Sequence, residues 1–179
     1  MTQQTTTNMQ LSNQEKVLHT ISTFPGLRFF ELKIQTELSN GTLQHHVNTL
    51  LKKEEIVAHY DNAVPRYFMP EIDESSKIII QRLSQNTTSK IIKLLLKKDC
   101  QTFAQLVKYT KKSPGTVSLY KNKMVEDKII VGTTDDCKYC KNSRMKIKYR
   151  LVNPEKVRTL VMEYGKSSLS KSSDNLADV

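Results

Sequence analysis

The sequence of 179 residues has no tryptophan and contains only five glycines, five prolines and three cysteines. A many-stranded sandwich needs more turn residues than these, so the shortage favours short helical elements. Three cysteines are too few, and odd in number, for the disulfide framework of a secreted domain, and we expect them to be thiols or metal ligands. The length suits one ordinary domain or two small ones. These features argue against a large barrel or a doubly wound enzyme.

Long apolar runs are also missing. No stretch approaches the roughly 20 apolar residues that a membrane-spanning helix needs. The first ten residues, MTQQTTTNMQ, have neither the basic start nor the apolar run of a signal peptide. The sequence therefore predicts a cytoplasmic protein with no membrane partner.

Positive charge is abundant and unevenly distributed. The chain has 28 Lys and Arg against 18 Asp and Glu, a formal net charge of +10, which predicts attraction to a polyanion such as nucleic acid or an anionic membrane surface. Residues 88–150 hold 16 basic and 5 acidic residues, a net charge of +11, whereas residues 13–70 hold six of each sign. The basic surface therefore belongs to one segment of the chain.

An internal repeat organises the sequence. Shifting the chain by 74 positions aligns residues 16–57 with residues 90–131 without a gap. The identical pairs are Lys16/Lys90, Phe29/Phe103, Leu32/Leu106, Thr36/Thr110, Ser39/Ser113, Gly41/Gly115, Thr42/Thr116, Asn48/Asn122, Ile56/Ile130 and Val57/Val131. Apolar character is also kept at Val17/Ile91, Leu18/Ile92, Ile21/Leu95, Leu43/Val117, Leu50/Met124 and Leu51/Val125, whereas Val47 aligns with Lys121 and Leu27 with Gln101. The repeat predicts two diverged copies of one small fold.

Each copy has the pattern of three helices followed by a β-hairpin, the order of a winged helix-turn-helix. We predict a mainly α fold with small β-hairpins (α+β), in which tandem winged helix-turn-helix modules are joined by a helical linker. The predicted segments are a flexible N-terminus (1–11), a first module (12–70), a linker helix (71–87), a second, basic module (88–152), and a C-terminal helix with a flexible tail (153–179).

A run near the start of the third helix carries a family resemblance. Residues 38–47, LSNGTLQHHV, are followed by Leu50, by Ile56-Val57 and by the aromatic return strand Arg66-Tyr67-Phe68. This pattern resembles the archaeal and bacterial winged-helix regulators of the ArsR and MarR type, over about residues 13–70 and 88–165, and is most similar to regulators with two such modules per chain. The resemblance implies DNA binding and leaves the target gene open.

Candidate DNA contacts follow from the helical faces. The third helix of such a module enters the major groove. If Leu43 and Val47 face the core in the first copy, and Val117, Met124 and Val125 in the second, polar side chains project outward. The predicted helix contacts are Thr42, Gln44, His45, Asn48, Ser113, Thr116, Ser118, Lys121, Asn122 and Lys123. The alternative is an ordinary solvated polar face in a protein-binding winged helix.

The second hairpin is about eight residues longer than the first and is rich in basic residues. Its Lys and Arg side chains are separated by polar and aromatic residues, as expected of a loop that lies against phosphates. The predicted wing contacts are Lys138, Lys141, Arg144, Lys146 and Lys148. This interpretation predicts DNA binding that weakens steeply with salt.

The same loop contains Cys137 and Cys140. Two thiolates at this spacing can bind zinc, but a tetrahedral structural site needs four ligands and a second pair is absent. The alternatives are a thiol/disulfide switch in a basic environment or no function. Cys100 lies next to an apolar helix and is expected to fill the core. No cofactor is expected unless Cys137 and Cys140 bind zinc.

The sequence thus predicts a sequence-specific regulator of transcription that binds double-stranded DNA. A homodimer is expected because operators are commonly two-fold symmetric. No combination of nucleophile, base and orienting group stands out, so enzymatic activity is not expected. The alternative is a protein-interaction module within transcription, replication or chromosome-segregation machinery.

Overall fold

The computed structural model describes residues 11–135 and 146–165. The chain divides into two compact units, with the boundary between Asp73 and Glu74. Its described part is mainly helical, with small antiparallel sheets, and has the α+β fold of a winged helix-turn-helix that the sequence predicted.

The first unit has three helices and a hairpin, in the order α1 (Asn13–Thr23), α2 (Phe29–Thr36), α3 (Asn40–Lys52), β1 (Val57–Asp61) and β2 (Val64–Phe68). The apolar residues spaced at helical intervals face one core, as the periodicity predicted. Its fully or almost fully buried hydrophobic side chains are Val17, Ile21, Leu27, Leu32, Leu43, Val47, Leu50, Ile56, Tyr67 and Phe68.

Local chemistry determines where these elements begin and turn. Ser12 and Glu15 form a capping box at the start of α1, in which each side chain accepts a hydrogen bond from the other residue's backbone N–H. Asn62 and Ala63 both have positive φ angles, of 49° and 65°. Two such residues form the tight turn that matches the twist of paired antiparallel strands. The hairpin is therefore short and closes directly after Asp61.

The second unit contains five helices and a three-stranded antiparallel sheet among its described residues. The elements are α4 (Glu74–Leu83), α5 (Asn86–Lys98), β3 (Cys100–Thr102), α6 (Phe103–Thr110), α7 (Pro114–Glu126), β4 (Ile130–Thr133), β5 (Lys148–Leu151) and α8 (Pro154–Tyr164). The strand order is β3-β5-β4, so β5 is the central strand.

Strand β3 was not predicted from the sequence. It pairs Cys100 with Arg150 and Gln101 with Tyr149. In the first unit the corresponding contact is a single β-bridge between Leu27 and Tyr67. A three-residue strand is stabilised by its partner rather than by its own residues, so the chain shows no local pattern for it.

Helix α4 lies in the segment predicted as a linker and packs within the second unit, against α5 and α8. Ile79 and Ile80 are buried on it. The guanidinium of Arg82, only 3% exposed, lies 2.5 Å from a carboxylate oxygen of Asp127, which follows the end of α7. A buried ion pair therefore ties the linker segment to the end of α7.

Residues 74 positions apart occupy the same structural roles in the two units. Ser39 and Ser113 each cap the following helix, accepting a hydrogen bond from the backbone N–H of the residue three positions later at 3.2 Å. The left-handed residue that ends the preceding helix is Glu37 in one unit and Lys111 in the other, with φ angles of 57° and 56°. The sequence repeat is thus also a repeat of local backbone geometry.

Because Ser39 and Ser113 cap their helices in the same way, removing either side chain should destabilise the protein by a similar amount. Ser39→Ala and Ser113→Ala should each lower the free energy of unfolding by about 1 kcal/mol, because each leaves a helix-terminal N–H without its acceptor. Urea unfolding followed by circular dichroism measures the change. Ser22→Ala, at an exposed position inside α1, is the control and should change stability by less than about 0.5 kcal/mol. Equal effects of the three substitutions would contradict the capping role.

Candidate nucleic-acid interface

Helix α7 begins with a compact polar turn. The Ser113 Oγ accepts a hydrogen bond from the Thr116 backbone N–H at 3.2 Å and lies 2.8 Å from the Thr116 hydroxyl. Pro114 occupies the first turn, where a missing N–H costs nothing. Ser113 is exposed and Thr116 is half-buried. Both predicted contacts therefore lie at the helix N-terminus, where oriented N–H groups favour an anion.

One face of α7 is buried in the core, and the side chains on its other faces are exposed or half-buried. Val117 and Met124 are fully buried. Asn122 is exposed, and three of the other predicted contacts are half-buried: Ser118, Lys121 and Lys123. Val125 was expected to face the core, but it is 40% exposed. It lies on the side of α7 that faces the hairpin of β4 and β5, described next.

A groove of about 580 Å³ runs between α7 and this hairpin. The residues that line it are Lys121, Asn122, Val125, Gly132, Thr133, Thr134, Ile147 and Tyr149. The Lys121 ammonium lies 5.2 Å from the centre of the Tyr149 ring, within the range of a cation–π interaction. Two predicted contacts, Lys121 and Asn122, therefore share one groove with the hairpin.

Gly132 keeps this part of the hairpin closely packed. A Cβ atom at Gly132 would lie 3.1 Å from the Cγ2 of Ile147 and 3.5 Å from the Cε1 of Tyr149. Because Gly132 has no side chain, Ile147 and Tyr149 can pack over strand β4 beside Lys121.

The prediction that Lys148 lies at the surface and contacts DNA is wrong. Lys148 is fully buried on the central strand β5, between Thr102 on β3 and Thr133 on β4. Its ammonium donates a hydrogen bond to the backbone carbonyl of Asp135 at 2.7 Å. Because neighbouring strands cover both sides of β5 and the ammonium is bound to backbone, Lys148 cannot reach a phosphate. Lys146, two residues earlier, is exposed.

The other three predicted wing contacts, Lys138, Lys141 and Arg144, lie outside the described residues. Arg150, on β5, is exposed and forms an ion pair with Asp135 at 3.4 Å. Within the described hairpin, Lys146 is therefore the candidate for a phosphate contact.

Two lysines just before α7 were missed by the sequence interpretation. Lys111 and Lys112 are exposed, and they immediately precede the cap residue Ser113. Their counterparts in the first unit are Glu37 and Leu38. The signal was present in the charge difference between the repeats, because these positions lie beside the N-terminus of the third helix in each copy. Both lysines belong with the candidate interface.

The first unit presents a mainly polar surface on α3, on which Lys52, in the last turn, is the one exposed lysine. Gln44, His45 and Asn48 are exposed, and Thr42 is half-buried at the start of the helix. The Gln44 side-chain amide donates a hydrogen bond to the Asn48 side-chain oxygen at 2.9 Å. This bond holds the two amides together and leaves the Asn48 amide nitrogen available as a donor.

The hairpin of the first unit lacks a cation at its surface. Arg66 is the only Lys or Arg on β1 and β2; it is 2% exposed, and its guanidinium donates a hydrogen bond to the Gly26 carbonyl at 2.7 Å. The exposed side chains near the turn include Tyr60 and Val64. The two hairpins therefore differ in the chemistry that they offer to a polyanion.

The cysteines are only partly described. Cys100 is 3% exposed, in agreement with a core position. It is disulfide-bonded, so the expectation of a thiol or ligand is wrong for this residue. Cys137 and Cys140, the candidates for zinc, lie outside the described residues. Among residues 11–135 and 146–165, no group of three His, Cys, Asp or Glu side chains is placed to hold a metal ion.

Comparison with known families identifies a helix-turn-helix domain in the first part of the chain. Residues 12–80 match a family model described as an N-terminal HTH domain. No curated protein matches the chain. None of the described helices is both long enough and apolar enough to cross a membrane. The fold and the family match together define a helix-turn-helix protein. Proteins of this class commonly bind DNA.

Proposed function

We propose that this protein is a sequence-specific transcriptional regulator that binds double-stranded DNA through tandem winged-helix modules, with the second module making the main contact. The observation that carries the proposal is the groove between α7 and its hairpin, where Lys121 and Asn122 lie together in the segment of net charge +11. The helix-turn-helix match over residues 12–80 supports the same class of function for the first module.

Four lysines in the second unit suit contacts with the phosphate backbone. Lys111 and Lys112 precede the N-terminus of α7, Lys121 borders the groove, and Lys146 is exposed two residues before β5. Phosphate contacts of this kind position a protein on the duplex, and contacts with base edges provide the specificity. With α7 in the major groove, Asn122 can pair with the N6 and N7 atoms of an adenine.

The first unit serves a different role in this proposal. Its α3 offers the hydrogen-bonded pair of Gln44 and Asn48, and residues 13–70 carry equal numbers of basic and acidic residues. Such a surface suits weaker DNA contact or self-association, because electrostatic repulsion between copies is small there. We propose a homodimer, since two copies of α7 would match the two halves of a symmetric operator.

Titrating the full chain with duplex DNA at several salt concentrations tests the proposal. We expect binding at low salt, with log K falling linearly against log salt by about 0.9 for each phosphate contact. Absence of binding at low salt would overturn the proposal. Partner binding that persists at high salt and does not need the basic hairpin would instead support a protein-interaction module.

Two lysines on the same hairpin provide a matched prediction. Lys146→Ala should weaken DNA binding and reduce the salt slope by about one, with little effect on stability, because the side chain is exposed. Lys148→Ala should instead lower the midpoint of thermal unfolding, because it leaves the Asp135 carbonyl without its buried donor. Thermal unfolding and DNA titration of both variants measure this. The reverse assignment of the two effects would contradict the structure.

A further inference from the structure

Leu119 is a large apolar side chain on the solvent side of α7. It is 67% exposed, and it was not among the predicted DNA contacts. Its counterpart in the sequence repeat is His45, which is also exposed on α3. A polar residue at this position is thus compatible with the same local fold. Leu119 adds little to the hydrophobic core, and the exposed His45 at the equivalent position shows that the local fold does not require an apolar side chain there.

The surroundings of Leu119 are open to a partner. Gly115, Leu119 and Asn122 are spaced by four and three residues, so they share one face of α7, opposite the buried Val117 and Met124. A Cβ atom at Gly115 would have no other atom within 4 Å. The backbone at the start of this face can therefore approach another surface closely, with Leu119 and Asn122 following along the helix.

We propose that this face of α7 selects DNA that contains A·T pairs, with Leu119 against the C5-methyl group of thymine and Asn122 on a neighbouring adenine. The major groove displays the thymine methyl as its only apolar group, and an asparagine pairs with adenine through its N6 and N7 atoms. An apolar and an amide side chain one turn apart match this combination. This inference rests on the proposed function, because it requires α7 to enter the major groove.

Replacing thymine by deoxyuracil provides the test, since it removes the methyl group and leaves the Watson–Crick pairing intact. The tightest-binding duplex is first selected from a random pool with the full chain. We expect the selected site to contain thymine, and the wild-type protein to lose about fourfold in affinity at one contacted thymine, the value of burying one methyl-sized group. Leu119→Ser should bind more weakly and bind the thymine and deoxyuracil duplexes equally.

Two further variants serve as controls. Met162→Ser removes an apolar side chain that is 74% exposed on α8 and should keep the fourfold difference. Leu119→Ile restores an apolar group at the same position and should keep most of it. Because Leu119 is exposed, its serine variant should fold normally, which circular dichroism checks.

The outcomes separate this inference from the proposed function. Tight, selective DNA binding with equal affinity for the thymine and deoxyuracil duplexes would overturn the inference and leave the proposed function intact. A selected site of G·C pairs alone, or an unchanged difference in Leu119→Ser, would overturn it in the same way. Failure of the full chain to bind any duplex would overturn the proposed function itself.

Discussion

Replacing Arg82 by methionine should lower the free energy of unfolding of the second unit by about 3–5 kcal/mol, the loss typical when one partner of a buried ion pair is removed. The Arg82 side chain is 3% exposed and the Asp127 side chain 17%, and their nearest atoms lie 2.5 Å apart. The variant leaves the Asp127 carboxylate largely buried without its partner. Burying an uncompensated charge is costly because water no longer solvates it.

The position of this pair explains why the loss should affect the second unit as a whole. Arg82 lies in the last turn of α4, where its backbone carbonyl also accepts a hydrogen bond from the Thr88 hydroxyl on α5. Asp127 directly follows α7. The pair therefore connects the linker segment with the helix that we propose enters DNA.

Urea unfolding of the full chain measures the effect, with two comparisons. Arg158→Met breaks an exposed pair, Arg158 with Glu155 at 3.8 Å, and should cost less than about 1 kcal/mol. The double variant Arg82→Met, Asp127→Leu removes both charges and should recover much of the loss, because apolar residues of similar size can replace a buried pair. An Arg82→Met loss no larger than that of Arg158→Met would show that the pair contributes little.

Lys121→Ala combined with Asn122→Ala should weaken binding to the selected duplex by about 100-fold. In the proposed complex, Asn122 pairs with a base, a contact worth about 1–3 kcal/mol of discrimination, and Lys121 neutralises a phosphate. The substitutions lie on the outer side of α7 and its groove, away from the fully buried Val117 and Met124. Binding should change far more than stability.

The matched variant lies in the first unit. Gln44→Ala combined with Asn48→Ala removes the amide pair on α3 and should weaken binding by less than about tenfold, because residues 13–70 carry no net charge and strands β1 and β2 present no exposed Lys or Arg. DNA titrations at fixed salt, with thermal unfolding as the control for folding, compare the two. Equal effects, or a larger effect in the first unit, would reject the proposed division between the modules.

Much of the fold could be predicted because its determinants are local. Ser39 and Ser113 cap their helices through residues three positions away, and the apolar spacing of α3 placed Leu43, Val47 and Leu50 in the core. The first hairpin was predicted from two strand-like segments, residues 56–60 and 65–68, on either side of a short loop. In each case the interacting groups are close in sequence, so the pattern of residue types contains the information.

The candidate site was predicted less completely, since exposure depends on what packs nearby. Asn122 and Lys146 are exposed as expected, but Lys148 is buried although its sequence context is equally basic. The residue pattern did not predict a role for Lys111 and Lys112, and the structure places both exposed beside the cap of α7. Counting charges identified the basic segment and could not distinguish the exposed Lys146 from the buried Lys148.

The sequence by itself determined the helix-turn-helix pattern, the 74-residue repeat and the segment that holds the positive charge, because these depend on residue type and spacing along the chain. Only the tertiary structure decided that β3 pairs with β5, that Lys148 is enclosed by that sheet, and that Arg82 meets Asp127 from 45 residues away. Such contacts join groups distant in sequence, and their free energy comes from burial and pairing that exist only once the chain has folded.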